Sequence, residues 1–303
     1  MRFSVWPNPA QSFEDVLGLA RHAEATSWDG IWYADHFMPD GSDTSAPWPE
    51  AWTTLSALAA SVPRIRLGPL VTGNTYRHPA VLAKMAATVD RISGGRVVLG
   101  LGAGWQENEH RQYGIPLYAI GERLARLDEA CQVIKSLFTE ERSRFDGKYY
   151  QLEEASLEPK PVQDPLPLLI GGGGEQVTLR ITARWADEWN VWGDVETLRH
   201  KMAVLERHCA EVGRDPSQIQ RSAVALLFLS DDREFVEKMR SRGIGRPMII
   251  GNVDEVRETV RGYAEAGVDE LIVPDFTLGA GEQKLATLDR FIGEVAADFR
   301  DTA

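Results

Sequence analysis

Asp35-His36 closes a short apolar run, Gly30-Ile31-Trp32-Tyr33-Ala34, and so puts a carboxylate next to an imidazole at the end of a strand. An imidazole can deliver or remove a proton near neutral pH, and a neighbouring carboxylate can set its tautomer. Adjacent residues on a strand point to opposite faces, so the two groups need not touch. The second stretch with chemical potential is Gly171 to Gly174. It lies between Leu168-Leu169-Ile170, a buried-strand pattern, and Glu175 to Ala186, which carries Val177, Ile181 and Trp185 at helical spacing. Alone, a glycine run reads as a flexible turn. Between a strand and a helix N-terminus it reads as a phosphate cradle, because free amides and the positive end of the helix dipole converge where no side chain keeps an anion away.

The remaining candidates are weaker. His22, His200 and His208 fall on helix surfaces, where solvation explains them; His78 before Pro79 suits either a helix cap or a phosphate, and nothing fixes a role for His110. No three or four ligands are spaced for a metal, and Trp6-Pro7-Asn8 offers no ligand pair on the first strand. No GxSxG elbow is present, and Cys131 and Cys209 lie on apolar helix stripes without a CxxC partner, as buried reduced thiols do. Gly102, Gly104 and the four glycines flatten one side of the strand ends, while Trp6, Trp32, Trp105, Trp189 and Trp192 crowd them. Such a cavity suits a flat, partly apolar ring with a phosphate tail.

The elements that must position these residues alternate. Phe3 to Trp6 reads as a strand and Phe13 to Ala25 as a helix capped by Ser12. Gly30 to Ala34 is a second strand, followed after a loop to Pro49 by a helix over Trp52 to Val62. Ile65 to Thr72, a helix from Pro79 to Ile92 ended by Gly94-Gly95, and Val97 to Leu101 continue the pattern. A polar loop, Gly102 to Pro116, leads to a helix through Leu124, Leu127, Cys131, Ile134 and Phe138. Arg142 to Pro167 reads as an inserted hairpin. After Leu168, strands at Glu188 to Val191, Ala223 to Leu229 and Leu271 to Pro274 are each trailed by helical patterns. Eight strand-plus-helix units with runs too apolar for a one-sided sheet predict a (β/α)8 TIM barrel over residues 1–303 as a single domain, with an insertion at about 142–167. The strand ends named above then share one rim. The glycines follow strand five, whereas the common barrel phosphate site follows strands seven and eight.

A net charge of −12 disfavours nucleic acid and anionic membrane surfaces as partners. MRFSVWPNP lacks the apolar segment of a signal peptide, and no run approaches the roughly 20 apolar residues of a membrane span. A cytoplasmic protein with a small-molecule partner is expected.

Four stretches together, WYADHF, RHPAVLAKMAATVDRISGGRVVLGLGAGW, DGKYYQLEEASLEPKPVQ and IGGGG, resemble the luciferase-like monooxygenase superfamily across nearly the whole chain. Within it, the chain looks most like the oxidoreductases that use the deazaflavin coenzyme F420. The resemblance implies a barrel with a (deaza)flavin across the strand ends and its phosphate at Gly172 to Gly174 with Glu175 and Gln176, beside Gly171. It also implies a non-proline cis peptide at Leu70-Val71, ring contacts from His36, Leu70, Val71, Thr72 and Asn108, and a homodimer. Sugar-phosphate dehydrogenases of the superfamily carry a glutamate general acid where this chain has Trp105, which speaks against a sugar phosphate; Glu107 and Glu109 are nearby but displaced. The expected activity is F420-dependent hydride transfer to an apolar organic substrate, with His36 and Asp35 as the catalytic pair. The alternatives are a two-component monooxygenase using flavin mononucleotide (FMN) and a non-catalytic deazaflavin-binding protein.

Overall fold

In the computed structural model, which describes residues 1–300, parallel strands close on themselves with helices outside. In chain order the first half runs β1 (Arg2–Trp6), α1 (Phe13–Ala25), β2 (Gly30–Tyr33), α2 (Ala51–Ser61), β3 (Arg66–Pro69), β4 (Thr72–Gly73), α3 (Pro79–Ser93), β5 (Leu99–Gly102), α4 (Glu107–Tyr113) and α5 (Ile120–Thr139). A hairpin of β6 (Ser143–Asp146) and β7 (Gln151–Ala155) follows. Then come β8 (Leu168–Gly171), α6 (Thr178–Trp185), β9 (Glu188–Trp192), α7 (Val195–Val212), β10 (Gln220–Val224), β11 (Leu226–Leu229), α8 (Arg233–Ser241), β12 (Met248–Gly251), α9 (Val253–Glu265), β13 (Glu270–Pro274) and α10 (Gly281–Glu294).

The main sheet has nine segments, but β3 and β4 are two halves of one barrel strand broken at Leu70-Val71, which leaves the eight strands of a (β/α)8 barrel. The inserted hairpin is antiparallel, as its sequence suggested. Three local expectations need correction. The helix after the glycines starts at Thr178 rather than Glu175. The polar loop after β5 contains α4, closed by Gly114 in the left-handed region (φ 68°). The seventh strand splits at Ala225, and its second half, β11, leaves the barrel to pair with β12, a strand the apolar pattern did not disclose.

Alternation along each strand fills the barrel in layers. At the floor, Arg66 pairs with Glu188 and, at 3.2 Å, with Glu270, whose Oε1 also accepts from Trp32 Nε1 at 2.8 Å and Ser4 Oγ at 2.5 Å. Above them lie Val98, Leu169, Val224 and Ile272, and then Trp6, Ala34, Leu70, Val71 and Trp192, all in one apolar cluster. Helix ends follow their sequence signals. The Ser12 side chain accepts from the Asp15 amide at 3.1 Å, and Asn252 and Glu255 form a reciprocal capping box on α9.

Candidate active site at the barrel mouth

His36 follows β2 and is half-buried at the rim. Its Nδ1 lies 2.9 Å from Glu109 Oε1 of α4, and the other oxygen of Glu109 accepts from the Phe37 amide at 2.8 Å. Tyr76 Oη donates to Glu109 Oε1 as well. Burial pushes the Glu109 carboxyl up, but the donors His36, Phe37 and Tyr76 outweigh it and hold the group below the usual carboxylate range. An ionised acceptor at Nδ1 requires the proton there, so the lone pair, or the second proton of an imidazolium, belongs to Nε2. The same environment pushes the Tyr76 hydroxyl well above its ordinary value, through burial first and Glu109 second, so Tyr76 stays a neutral donor.

Asp35 does not join His36. It is fully buried on the other face of the strand end, bonded to Arg77 at 2.6 and 3.3 Å, and Arg77 reaches on to Glu50 at 2.5 Å. Burial raises the Asp35 carboxyl despite that partner. Glu109, which the sequence left aside as displaced, takes the position beside the imidazole. The signal available for it was Gly114, a helix stop that marks Glu107–Tyr113 as a helix with its own inner face.

The peptide between Leu70 and Val71 is cis, as the resemblance implied. Val71 packs on bare glycines: a Cβ on Gly171 would lie 2.9 Å from both of its γ-carbons, and one on Gly102 2.9 Å from Cγ2. Leu70 shares the interior cluster with Val71. Thr72 is fully buried, and its hydroxyl accepts from Trp52 Nε1 at 3.1 Å. Asn108 spends its amide on the carbonyls of Pro39 and Gly41, at 2.8 and 3.1 Å, fixing the loop after His36.

The glycines divide between two tasks. Gly171 clears room for Val71. Gly172, at φ 128°, bonds its amide to Asn190 O at 2.9 Å, while the amides of Gly173, Gly174, Glu175 and Gln176 donate to no group among the described residues. Lys201 of α7 flanks the turn and pairs with the Glu175 carboxylate, which His200 also reaches at 3.0 Å; His208 bonds Glu175 O at 2.7 Å. Lys201 and His200 together hold the Glu175 carboxyl below its usual range. These three partners carried no local sequence signal. Gln176 is exposed, and His78 caps α3, accepting from the Ala80 amide at 3.2 Å.

Three buried polar atoms, Trp6 Nε1 at the end of β1, Asn74 Oδ1 just after β4 and Asn108 Oδ1 in α4, have no partner among the described residues. Buried polar groups are normally satisfied, so a mouth with orphaned groups, a glycine-cleared floor and free amides at one side fits a flat ring with an anionic tail. Trp105, 56% exposed, stands edge-on to His36 with ring centroids 5.4 Å apart. On the far side Trp6 contacts Trp192 and Phe276, at 5.8 and 5.3 Å.

A family model described as luciferase-like monooxygenase matches residues 1–249. The F420-dependent glucose-6-phosphate dehydrogenase of Kineococcus radiotolerans is 40% identical over 234 residues, 74% of this chain and 67% of that protein. That of Amycolatopsis mediterranei is 38% identical over 165 residues, 54% of this chain; the match spans about half of that relative, 49%. A solved F420-dependent secondary alcohol dehydrogenase, in complex with an F420-acetone adduct, superimposes with a TM-score of 0.85 at 21% identity, over 99% of each chain. The chain belongs to the luciferase-like monooxygenase family.

Proposed function

We propose that this luciferase-like protein is an F420-dependent oxidoreductase acting on a small, largely apolar organic substrate. The observation that carries the reading is the His36–Glu109 pair, on the same rim as Val71 and the free amides of Gly173 and Gly174. When bound, the deazaflavin would supply hydride chemistry at its C5.

The residues of the chain do the rest. The amides of Gly173 to Gln176 and the Lys201 ammonium would bind the phosphate of the coenzyme. Val71 and Leu70 would support the ring from below, in the space left by Gly102 and Gly171. His36, its tautomer fixed by Glu109, would hold or move the accompanying proton at Nε2. Trp105 and Phe276 would keep water from that proton and favour an apolar substrate over a sugar phosphate. Asp35 supports this apparatus through its ion pair with Arg77. The names of the curated relatives support the coenzyme, while the substrate of this chain stays open to a different choice at Trp105. The same reading carries a cytoplasmic homodimer; no helix among the described residues is long and apolar enough to cross a membrane.

Titrating the purified apo protein with F420 and with FMN, read by coenzyme fluorescence, tests the assignment. Saturable quenching of F420 with weak or no binding of FMN is expected. Tight FMN binding without F420 binding would instead support the two-component monooxygenase.

A further inference from the structure

A second group of polar residues at the strand ends takes no part in the chemistry described so far. Lys284, in the first turn of α10, is only 8% exposed, and Asp275, which directly follows β13, is 3% exposed. Charged side chains this deep are held by partners. The Lys284 ammonium donates to Asp275 Oδ2 at 2.7 Å and to Gln11 Oε1 at 2.6 Å. Gln11 Nε2 donates to the same Asp275 oxygen at 2.8 Å, and the Asn8 amide donates to the other at 2.7 Å.

A cavity of about 220 Å³ opens beside this pair, and Lys284, Asp275, Gln11 and Asn8 line it together with Asp15 and Phe276. An ammonium has three donors and a carboxylate about four lone-pair sites. Lys284 therefore keeps one donor, and Asp275 Oδ1 one acceptor site, without a partner among the described residues. Phe276 is the wall shared with the mouth. Its ring packs on Trp6 with centroids 5.3 Å apart, and Trp6 belongs to the apolar cluster that continues to Leu70 and Val71. Pockets for whole ligands usually begin near ~300 Å³, so this space suits one end of a ligand whose body lies outside it. Its charges restrict that end. Asp275 already neutralises Lys284 and Asp15 adds a second carboxylate, so an anion gains no net attraction, while a cation would face the ammonium. A neutral hydroxyl can accept from Nζ and donate to Oδ1 at once.

We propose that this cavity is a side pocket of the substrate site, which takes a neutral, hydroxyl-bearing end, such as a vicinal diol, of a substrate whose flat apolar body lies along Phe276 and Trp6. The proposal deepens the F420 reading and rests on it for the reaction, whereas the binding chemistry of the pocket is measured without turnover.

Probes that share one shape separate the chemistries: a naphthyl ethanediol, the naphthyl butane in which methyl groups replace both hydroxyls, and the naphthylglycolate anion. Equilibrium dialysis of the full chain, with and without F420, should show the diol binding about fivefold tighter or more than either of the others. Lys284→Met alone would leave Asp275 as an unpaired buried carboxylate and threaten the fold, so it is combined with Asp275→Asn. In that double variant, its fold checked by circular dichroism, the diol and the hydrocarbon should bind alike. Equal affinities in the wild type, tightest binding of the glycolate, or a diol preference that survives in the double variant would overturn the proposal. A crystal structure of the wild type with the diol needs no variant. Hydroxyl density within hydrogen-bond reach of Lys284 Nζ and Asp275 Oδ1 is expected, and a cavity holding water only, with the diol bound elsewhere, would overturn the assignment. Failure of F420 to bind the wild type would remove the proposed function, while the probe comparison still decides the chemistry of the cavity.

Discussion

His36 Nδ1 lies 2.9 Å from Glu109 Oε1, a pair separated by 73 positions in sequence. The contact makes Glu109 the positioning group for the imidazole. Glu109→Gln keeps the shape but replaces the anionic acceptor, and turnover is expected to fall about 10- to 100-fold, against a loss of about 100-fold or more for His36→Ala. F420 affinity should change little in either variant. Steady-state kinetics beside a fluorescence titration separates the two effects, and full turnover by His36→Ala would leave the proton-handling role without support.

The Glu109 carboxyl also predicts how stability responds to acid. It is held below its usual range in the folded protein, so its ionised form stabilises the fold above the unfolded value of about pH 4.3. That contribution is lost as pH falls through the folded value. The stability advantage of wild type over Glu109→Gln should therefore be constant through neutral pH and shrink below about pH 4.3. Urea unfolding at stepped pH measures it, and an advantage that widens toward acid would contradict the assigned hydrogen bonds.

Asp35→Asn leaves Arg77 with Glu50 as its remaining carboxylate. Breaking a buried pair on one side costs about 3 kcal/mol, so the midpoint of urea unfolding should drop clearly while F420 binding persists. Undiminished stability combined with lost turnover would return Asp35 to the catalytic pair.

Gly171 and Lys201 test the two halves of the cofactor site separately. In Gly171→Ala the new methyl would meet both γ-carbons of Val71, 2.9 Å away, so Val71 must shift under the ring. Affinity for F420 and for its riboside should fall together, with about 1 to 3 kcal/mol of stability lost to overpacking. Lys201→Met removes a cation beside the phosphate turn and should weaken F420 but spare the riboside. Equal loss of both ligands in Lys201→Met would place the phosphate elsewhere.

At the opposite end of the barrel, Arg66→Met would leave the buried Glu188 and Glu270 with Arg2 as their remaining cation, 4.0 and 3.5 Å away. Burial already raises the Glu188 carboxyl against the pull of Arg66. The expected cost is about 3 to 5 kcal/mol, read by urea unfolding, with F420 affinity unaffected in whatever fraction stays folded. A variant as stable as wild type would show that the floor charges are not held by this arginine.

The local patterns of this chain were enough to fix its architecture. Apolar runs of strand length, helical stripes between them and caps such as Ser12 and Gly94 specify eight units, because periodicity and capping depend on neighbours a few residues apart. The same locality exposed His36 and the glycines, since each ends a strand and all strand ends share one rim. What the closed barrel decided were partnerships between distant segments. Closure sets the loop after β5 beside the end of β2, so Glu109 reaches His36. The pleat sends Asp35 the other way, to Arg77, and the break at Leu70-Val71 brings Val71 onto Gly171, while α7 carries Lys201 to the phosphate turn. A side chain chooses among partners by direction and distance in space, and neither is written in spacing along the chain.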